Sequence, residues 1–294
     1  HDLCLKYAVT PTYLVTSEVC GDRTAVDMLR SYRNANEAEI GSHLHLWTTP
    51  PFHDEVGLRY NDRYHGFVHE VPESLLQQKV EHLTSQVSET FGHRPTSFRS
   101  GRFGVNAACF RILLENGYTA DSSVTPYVDW SHETGIPGRG GGPDFSRAGA
   151  AHYPVATGEK RLVEFPVTIL PTKLPFTTSD SLTRWYGSWG RNRIVRGLKR
   201  LSFGQQPVWL RPFPSTSLSS LKEVTGAAQD RKLQFITMMF HSSELKPGCS
   251  PYRKDQESVE SLFRLLEEFF AFLLERRIPS VTLSAAAALV GTTA

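Results

Sequence analysis

The sequence lacks the features that mark several classes of protein. None of its four cysteines forms a C-x-x-C pair, which argues against thiolate zinc sites and thioredoxin-type redox motifs. No run of roughly eighteen apolar residues occurs, so no membrane-spanning helix is predicted. The chain also has no N-x-S/T glycosylation acceptor and no signal-peptide pattern. Together these absences favour a cytoplasmic protein.

The chain also lacks an excess of either charge. Its 32 basic and 30 acidic residues give a net charge of +2, which is too balanced for a dedicated nucleic-acid binder. Apolar residues make up 39% and charged residues 21% of the 294 positions, as in an ordinary globular protein. This length can bury a substantial core, and we expect a single domain over residues 1–294.

Short β-rich runs alternate with helical patterns along the chain. Because strands that alternate with helices favour parallel pairing, we predict an α/β fold with its active site where the strands end. The apolar residues of 256–277 lie nearly all round the helix, which predicts deep packing. The predicted helices cover 22–33, 73–91, 105–116 and 256–277, and the predicted strands cover 12–15, 38–43, 96–99, 118–124, 161–167, 234–240 and 280–283.

Two segments interrupt this alternation. Residues 135–143 (GIPGRGGGP) are glycine-rich but lack a following Lys-Ser or Lys-Thr, so they are a surface loop or a substrate-covering loop and not a phosphate-binding P-loop. Residues 184–200 carry six basic side chains and two tryptophans. A solvated basic face is one interpretation, and peripheral contact with an anionic membrane or a lipid-linked, phosphate-bearing substrate is the other.

Three histidines stand at the ends of predicted strands. His43 and His45 are two residues apart, so an extended backbone points both imidazoles to the same side. Neutral imidazoles in that position suit two ligands of one divalent metal, and zinc is the favoured ion. His241 follows a buried strand pattern, where a catalytic acid or base is often found. An ordinary hydrogen-bonding histidine is the alternative in each case.

Arginines and aspartates follow the next two predicted strands. Arg99 and Arg102 lie beside glycines and could orient a carboxylate or an oxyanion, or form surface ion pairs. Asp121 and Asp129 could be simple cap or turn residues.

Four segments, in order, resemble the motifs of the polysaccharide deacetylase family with its NodB homology domain: EIGSHLHLW, FRSGRFG, ADSSVTPYVDW and MMFHSSEL. The runs PTYLV, GSHLHLWTTPP and MMFHSSELKPGCSPY are similar to the subgroup linked to bacterial surface-polysaccharide and O-antigen synthesis. The resemblance covers residues 11–283. It implies a distorted (β/α) barrel of about seven strands and metal-dependent removal of acetyl groups from N-acetylated sugars.

The resemblance also implies a role for each matching residue. His43 and His45 would hold the metal, and His241 would protonate the departing amine as the general acid. Arg99 would orient the base carboxylate, and the segment around Arg102 would help to stabilise the oxyanion. The implied substrate-binding residues are Asp129, Trp130 and Trp47, and the implied partner is a carbohydrate.

Two departures from the family pattern qualify this hypothesis. The usual second histidine lies four residues after the first, where this chain has Trp47, so the second ligand is assigned to His45. The aspartate pair of the family's first strand is also absent, so we expect an N-terminally incomplete domain that lacks this strand, the general base and one metal ligand. This expectation favours an inactive domain.

Two other functions stay open. The chain could be a catalytically silent carbohydrate-binding barrel, or a related barrel hydrolase acting on a non-peptide C–N bond of a small molecule. An aromatic pocket rim would favour sugar, whereas a tight arginine-lined pocket would favour a small anion.

Overall fold

A computed structural model describes residues 1–52, 65–172 and 207–291. Eight helices lie in these ranges: α1 (Asp2–Lys6), α2 (Ser17–Gly21), α3 (Arg23–Asn34), α4 (Glu73–Phe91), α5 (Ala107–Glu115), α6 (Leu218–Asp230), α7 (Gln256–Glu275) and α8 (Leu283–Gly291). The strands are β1 (Thr12–Val15), β2 (Glu39–Leu44), β3 (Ser97–Ser100), β4 (Ala120–Asp121), β5 (Tyr153–Thr157), β6 (Lys160–Glu164), β7 (Ile169–Leu170) and β8 (Val208–Trp209). The basic segment 184–200, with its two tryptophans, lies outside the described residues.

The main sheet has six strands in the order β1-β2-β3-β4-β6-β5. The first five are parallel neighbours, and only β5 runs antiparallel, at the edge against β6. Strands β7 and β8 form a separate antiparallel pair. The predicted α/β class with a mostly parallel sheet is therefore confirmed, whereas the described residues form an open sheet and do not show a closed barrel of about seven strands.

The two C-terminal strand predictions were wrong. Residues 234–240 form no strand, although Thr237 exchanges hydrogen bonds with Thr168 through its backbone N–H and C=O. The acceptor of one of these bonds is the Thr168 hydroxyl and not a backbone carbonyl, so the two segments do not form the regular backbone pairing of a β-sheet. Within the predicted strand 280–283, Leu283 instead begins α8.

Local sequence signals explain why α4 begins and ends where predicted. Pro72 precedes its first turn, and Gly92 ends it in the left-handed conformation, with a φ of 71° that glycine adopts without steric cost. Its buried face packs on β2. Helix α7 differs from the prediction of all-round burial, because Leu262 and Phe269 are fully buried while Phe263 on another face is 40% exposed.

Two large apolar clusters form most of the core. One joins α3, α4 and α5 to β1–β3, and the other joins α6 and α7 to α1. Within the described ranges, no helix has the length and apolarity needed to cross a membrane.

The glycine-rich loop is anchored by one buried carboxylate. Glu70 accepts backbone N–H groups from Phe67 (2.7 Å), Ile136 (2.9 Å) and Gly141 (3.2 Å). A side chain at Gly135 would collide with this carboxylate. The loop is therefore fixed to the turn at Phe67.

Candidate active site

The predicted metal-ligand pair lies at the carboxyl end of β2. His43 pairs in register with Arg99 of β3, and its Nδ1 lies 2.8 Å from the Arg99 carbonyl oxygen. Because a carbonyl only accepts, Nδ1 carries the proton and the lone pair is left on Nε2. Burial, together with the neighbouring His45, holds the pKa of His43 well below its ordinary value. His43 is therefore a neutral imidazole with a nitrogen available to a metal.

His45 lies beside His43, as the two-residue spacing predicts. The two ring centroids are 4.5 Å apart and the rings meet edge to face, while Trp47 stacks on His45 at 4.4 Å. Burial lowers the pKa of His45 to about 4, against an opposing effect of Glu18. A Cβ at position 101 would lie 2.6 Å from His45 Cδ2, so glycine is required where the turn after β3 passes the ring.

Arg99 is fixed to the segment after β4. Its Nε donates to the Ser122 carbonyl and its Nη2 to the Ser122 hydroxyl, both at 2.7 Å. Burial lowers the pKa of Arg99 to about 10, so the guanidinium stays charged at neutral pH. The carboxyls of Asp121 and Glu164 counteract part of that shift.

Asp121 and Glu164 form a buried carboxyl pair next to Arg99. Neither side chain is exposed to solvent, and burial raises the pKa of both carboxyls. Burial and the Asp121 carboxylate raise the pKa of Glu164 well above its ordinary value. Asp121 also accepts the backbone N–H and the hydroxyl of Ser123. The sequence predicted Asp121 only as a cap or turn residue, and no local signal pointed to its neighbour Glu164.

His241 lies in a cluster of charged groups, which we call the His241 cluster (His241, Arg211 and Glu244). Arg211 Nη2 lies 3.1 Å from His241 Nδ1 and 2.9 Å from Glu244 Oε1. The backbone N–H of His241 donates to the same carboxylate oxygen at 3.1 Å. Burial alone would raise the pKa of Glu244, but bonds from His241 and Arg211 lower it.

The imidazole of His241 is half exposed, whereas Arg211 and Glu244 are buried. Its charge contributes to the lowered pKa of both His43 and His45, so the three histidines share one site. The spacing of Glu244 three residues after His241 could have been noticed in the sequence. Arg211 lies 30 residues away, and no sequence signal pointed to it.

Arg102 does not join the histidines. Its guanidinium donates to the carbonyls of His65 and Thr134 and lies 4.0 Å from the centre of the Phe67 ring. Arg102 and Phe103 both have positive φ values, of 52° and 61°, so the backbone turns sharply after β3. The described contacts thus connect Arg102 to the loop around the site.

The predicted substrate-binding residues are partly brought together. Trp47 covers His45, while Trp130 stacks on Phe103 at 5.8 Å and donates from Nε1 to the Thr125 hydroxyl. Asp129 is exposed and accepts the backbone N–H of Ser131, as a turn residue does. Trp47 thus places one aromatic surface at the site, and Trp130 with Phe103 forms a second aromatic surface.

The imidazoles of His43 and His45 are the two groups at this site that could hold a metal. Among them, no group of three His, Cys, Asp or Glu side chains is close enough to hold an ion. Glu18, which the sequence analysis missed, is the carboxylate whose charge acts on His45. Glu18 lies in the first turn of α2, three residues after the end of β1.

Comparison with known proteins gives matches in structure only. No family model and no curated protein matches the sequence. A protein from Mycobacterium smegmatis designated a polysaccharide deacetylase matches with a TM-score of 0.56 and 14% identity, over 99% of this chain and 75% of the other. One from Pseudomonas aeruginosa with the same designation matches with a TM-score of 0.52 and 15% identity, over 98% and 69%.

PuuE allantoinase matches equally well, with a TM-score of 0.53 and 14% identity over 98% of this chain and 68% of the other. Matches at such low identity establish the fold only, so the function must be argued from the residues of the site. The chain therefore has the fold of the polysaccharide deacetylases, as the order of its motifs predicts.

Proposed function

We propose that this chain is a metal-dependent hydrolase that removes acetyl groups from N-acetylated sugars of a polysaccharide or its precursor. One observation carries the proposal: two neutral histidines, a fixed arginine and a histidine held by a buried ion pair meet at one edge of a sheet with the deacetylase fold. The four ordered sequence motifs contribute those same residues.

A divalent metal fits the histidine pair. His43 offers Nε2 because its Nδ1 proton is held by the Arg99 carbonyl, an arrangement common for metal-bound histidines. Imidazole ligands favour zinc, and two nitrogens fill two positions of its shell. When bound, the ion would polarise the acetyl carbonyl and lower the pKa of a bound water.

The His241 cluster supplies the proton that the departing amine requires. The exposed side of the imidazole can reach a substrate, while Arg211 and Glu244 hold its Nδ1 side. Arg99 remains charged beside the histidines and would orient an anionic group formed or used during the reaction.

The aromatic surfaces at the site suit a carbohydrate. The apolar face of a sugar ring stacks on aromatic side chains, and Trp47 and Trp130 lie next to His45 and Phe103 respectively. We include Asp129 among the substrate-binding residues because it lies next to Trp130 in the sequence.

The test is acetate release from N-acetylglucosamine oligomers by the zinc-loaded chain. We expect His241→Ala to lower the rate by about 10²–10⁴-fold, the usual contribution of general acid–base catalysis, while zinc content stays near one per chain. Replacing both His43 and His45 by Ala should remove the zinc. His82→Ala, on the exposed surface of α4, is the matched control and should change neither quantity.

Other outcomes identify the alternatives. Sugar binding that survives both a chelator and His43→Ala, without acetate release, would replace the proposal with a silent carbohydrate-binding barrel. The fold match to an allantoinase makes hydrolysis of allantoin a necessary second assay. Turnover of allantoin but not of the oligomers would assign the site to a small-molecule C–N bond.

A further inference from the structure

A fully buried lysine in α4 has no role in the proposed chemistry. The side chain of Lys79 is 0% exposed, on the helix face that packs against β2. An apolar residue would be expected there, because moving an ammonium group out of water is costly unless its donors are satisfied. Burial lowers the pKa of Lys79 to about 8, so it is still protonated at neutral pH.

All three partners of Lys79 lie in the loop that follows β2. The ammonium donates to the backbone carbonyls of Leu46 (3.1 Å), Thr49 and Pro51 (2.9 Å). Its three N–H donors are therefore satisfied by three acceptors. The ring of Phe52 lies over the ammonium, with its centre 5.0 Å from Nζ.

The same loop carries the second metal-ligand candidate. His45 is its first residue after β2, and the His45 carbonyl accepts the backbone N–H groups of Thr48 and Thr49. Trp47, which stacks on the His45 ring, lies between two of the residues held by Lys79. The position of the His45 ring thus depends on a loop whose carbonyls converge on one ammonium.

His43 is fixed differently. It belongs to β2, pairs in register with Arg99, and is held by the carbonyl of that residue. The sheet therefore positions one histidine, and the loop positions the other.

We propose that Lys79 is a positioning residue that fixes the loop of residues 45–51 and so holds His45 as a metal ligand. This inference rests on the proposed function for its metal and on the loop geometry for its mechanism. Positioning groups behind metal ligands typically contribute about 10–100-fold to metal affinity.

The first experiment measures zinc affinity by competition with a chromophoric chelator. We expect Lys79→Met to weaken zinc binding by about 10–100-fold and Lys79→Gln, which keeps a donor, to weaken it less. Lys222→Met is the matched control. The Lys222 ammonium, on the exposed surface of α6, lies over the ring of Phe272 from α7, so this substitution should leave the zinc affinity unchanged. In a His45→Ala background, Lys79→Met should cause no further loss.

The second experiment needs no metal. Hydrogen exchange of the peptide spanning residues 45–51 should be at least about tenfold faster in Lys79→Met, while the β2 peptide exchanges as in the wild type. If Lys79→Met does not fold, Lys79→Gln is measured instead.

Unchanged exchange in a folded variant would overturn the inference, and so would an equal zinc loss in the His45→Ala background. If the wild-type chain binds no zinc, the proposed function fails and His45 is not a ligand. Faster loop exchange would then still support the positioning of the loop by Lys79.

Discussion

The histidine pair and the His241 cluster differ in how they are held and in the charged groups that surround them. His43 and His45 are neutral, are positioned by a strand and a loop, and have pKa values lowered by burial. His241 is half exposed and lies against a buried ion pair of Arg211 and Glu244. The pair therefore offers lone pairs, which a metal needs, whereas the cluster offers charge around an exposed ring, which suits proton transfer.

The buried carboxyls of the two regions also differ, namely Glu244 in the His241 cluster and Glu164 near Arg99. Glu244 is paired with Arg211, and its pKa is lowered by its hydrogen bonds. Glu164 lies next to Asp121, and burial together with the Asp121 charge raises its pKa. The pKa values of these two buried carboxyls are thus shifted in opposite directions, because Glu244 is bonded to a cationic partner and Glu164 lies against an acidic one.

Breaking the ion pair of the His241 cluster should have the largest effect. Glu244→Ala leaves Arg211 buried without its carboxylate, and removing one partner of a buried pair costs about 3–5 kcal/mol. Urea unfolding measures this loss. Glu267→Ala, which breaks the exposed ion pair with Lys6, is the control and should leave stability unchanged. Equal midpoints for the two variants would show that the pair contributes nothing.

The Asp121–Glu164 pair should make stability depend on pH. Because the folded state keeps a proton that an unfolded Glu loses near its ordinary pKa, the free energy of unfolding should fall as pH rises above that value. Between the pKa values of Glu164 in the unfolded and folded states, each pH unit lowers the free energy of unfolding by about 1.4 kcal/mol. Glu164→Gln carries N–H donors in place of the proton, so its stability should fall less steeply between pH 5 and 7.

Denaturant unfolding at several pH values tests this prediction. Glu115→Gln, at the exposed end of α5, is the control and should follow the wild type. Parallel curves for wild type and Glu164→Gln would refute the raised pKa of Glu164.

The histidine pair should make zinc binding insensitive to mild acid. Metal binding requires neutral imidazoles, and two ordinary histidines with a pKa near 6.5 would lose about a thousandfold in affinity between pH 7 and 5. Since the pKa of His45 is about 4 and that of His43 is also lowered, we expect less than about a tenfold loss over this range. Zinc affinity measured from pH 7 to 4 tests this expectation, and half-loss near pH 6.5 would contradict it.

The sequence predicted those parts of the site and fold that depend on local spacing. The two-residue step from His43 to His45, the strand before them, and the proline and glycine around α4 are local signals, and each agrees with the structure. The alternation of strand and helix is also visible along the sequence, and it predicted the parallel sheet.

Features that depend on distant partners were missed. The ion pair of Arg211 with Glu244 joins residues 33 positions apart, and the partners of Lys79 lie about 30 residues before it. Arg102 is a further example, because the sequence did not indicate that its guanidinium bonds the carbonyls of His65 and Thr134. Only the folded chain reveals which acceptor a long cationic side chain reaches.

The carboxylate of Glu70 has a consequence for redesign of the protein. Three backbone N–H groups donate to it, and two of them belong to the glycine-rich loop. From its glycine content alone, this loop would be expected to tolerate sequence changes. Random sequence introduced at Gly135 or Gly141 would displace that carboxylate or the backbone beside it. A library intended to change substrate preference should therefore keep this loop constant and vary the aromatic residues Trp47 and Trp130 instead.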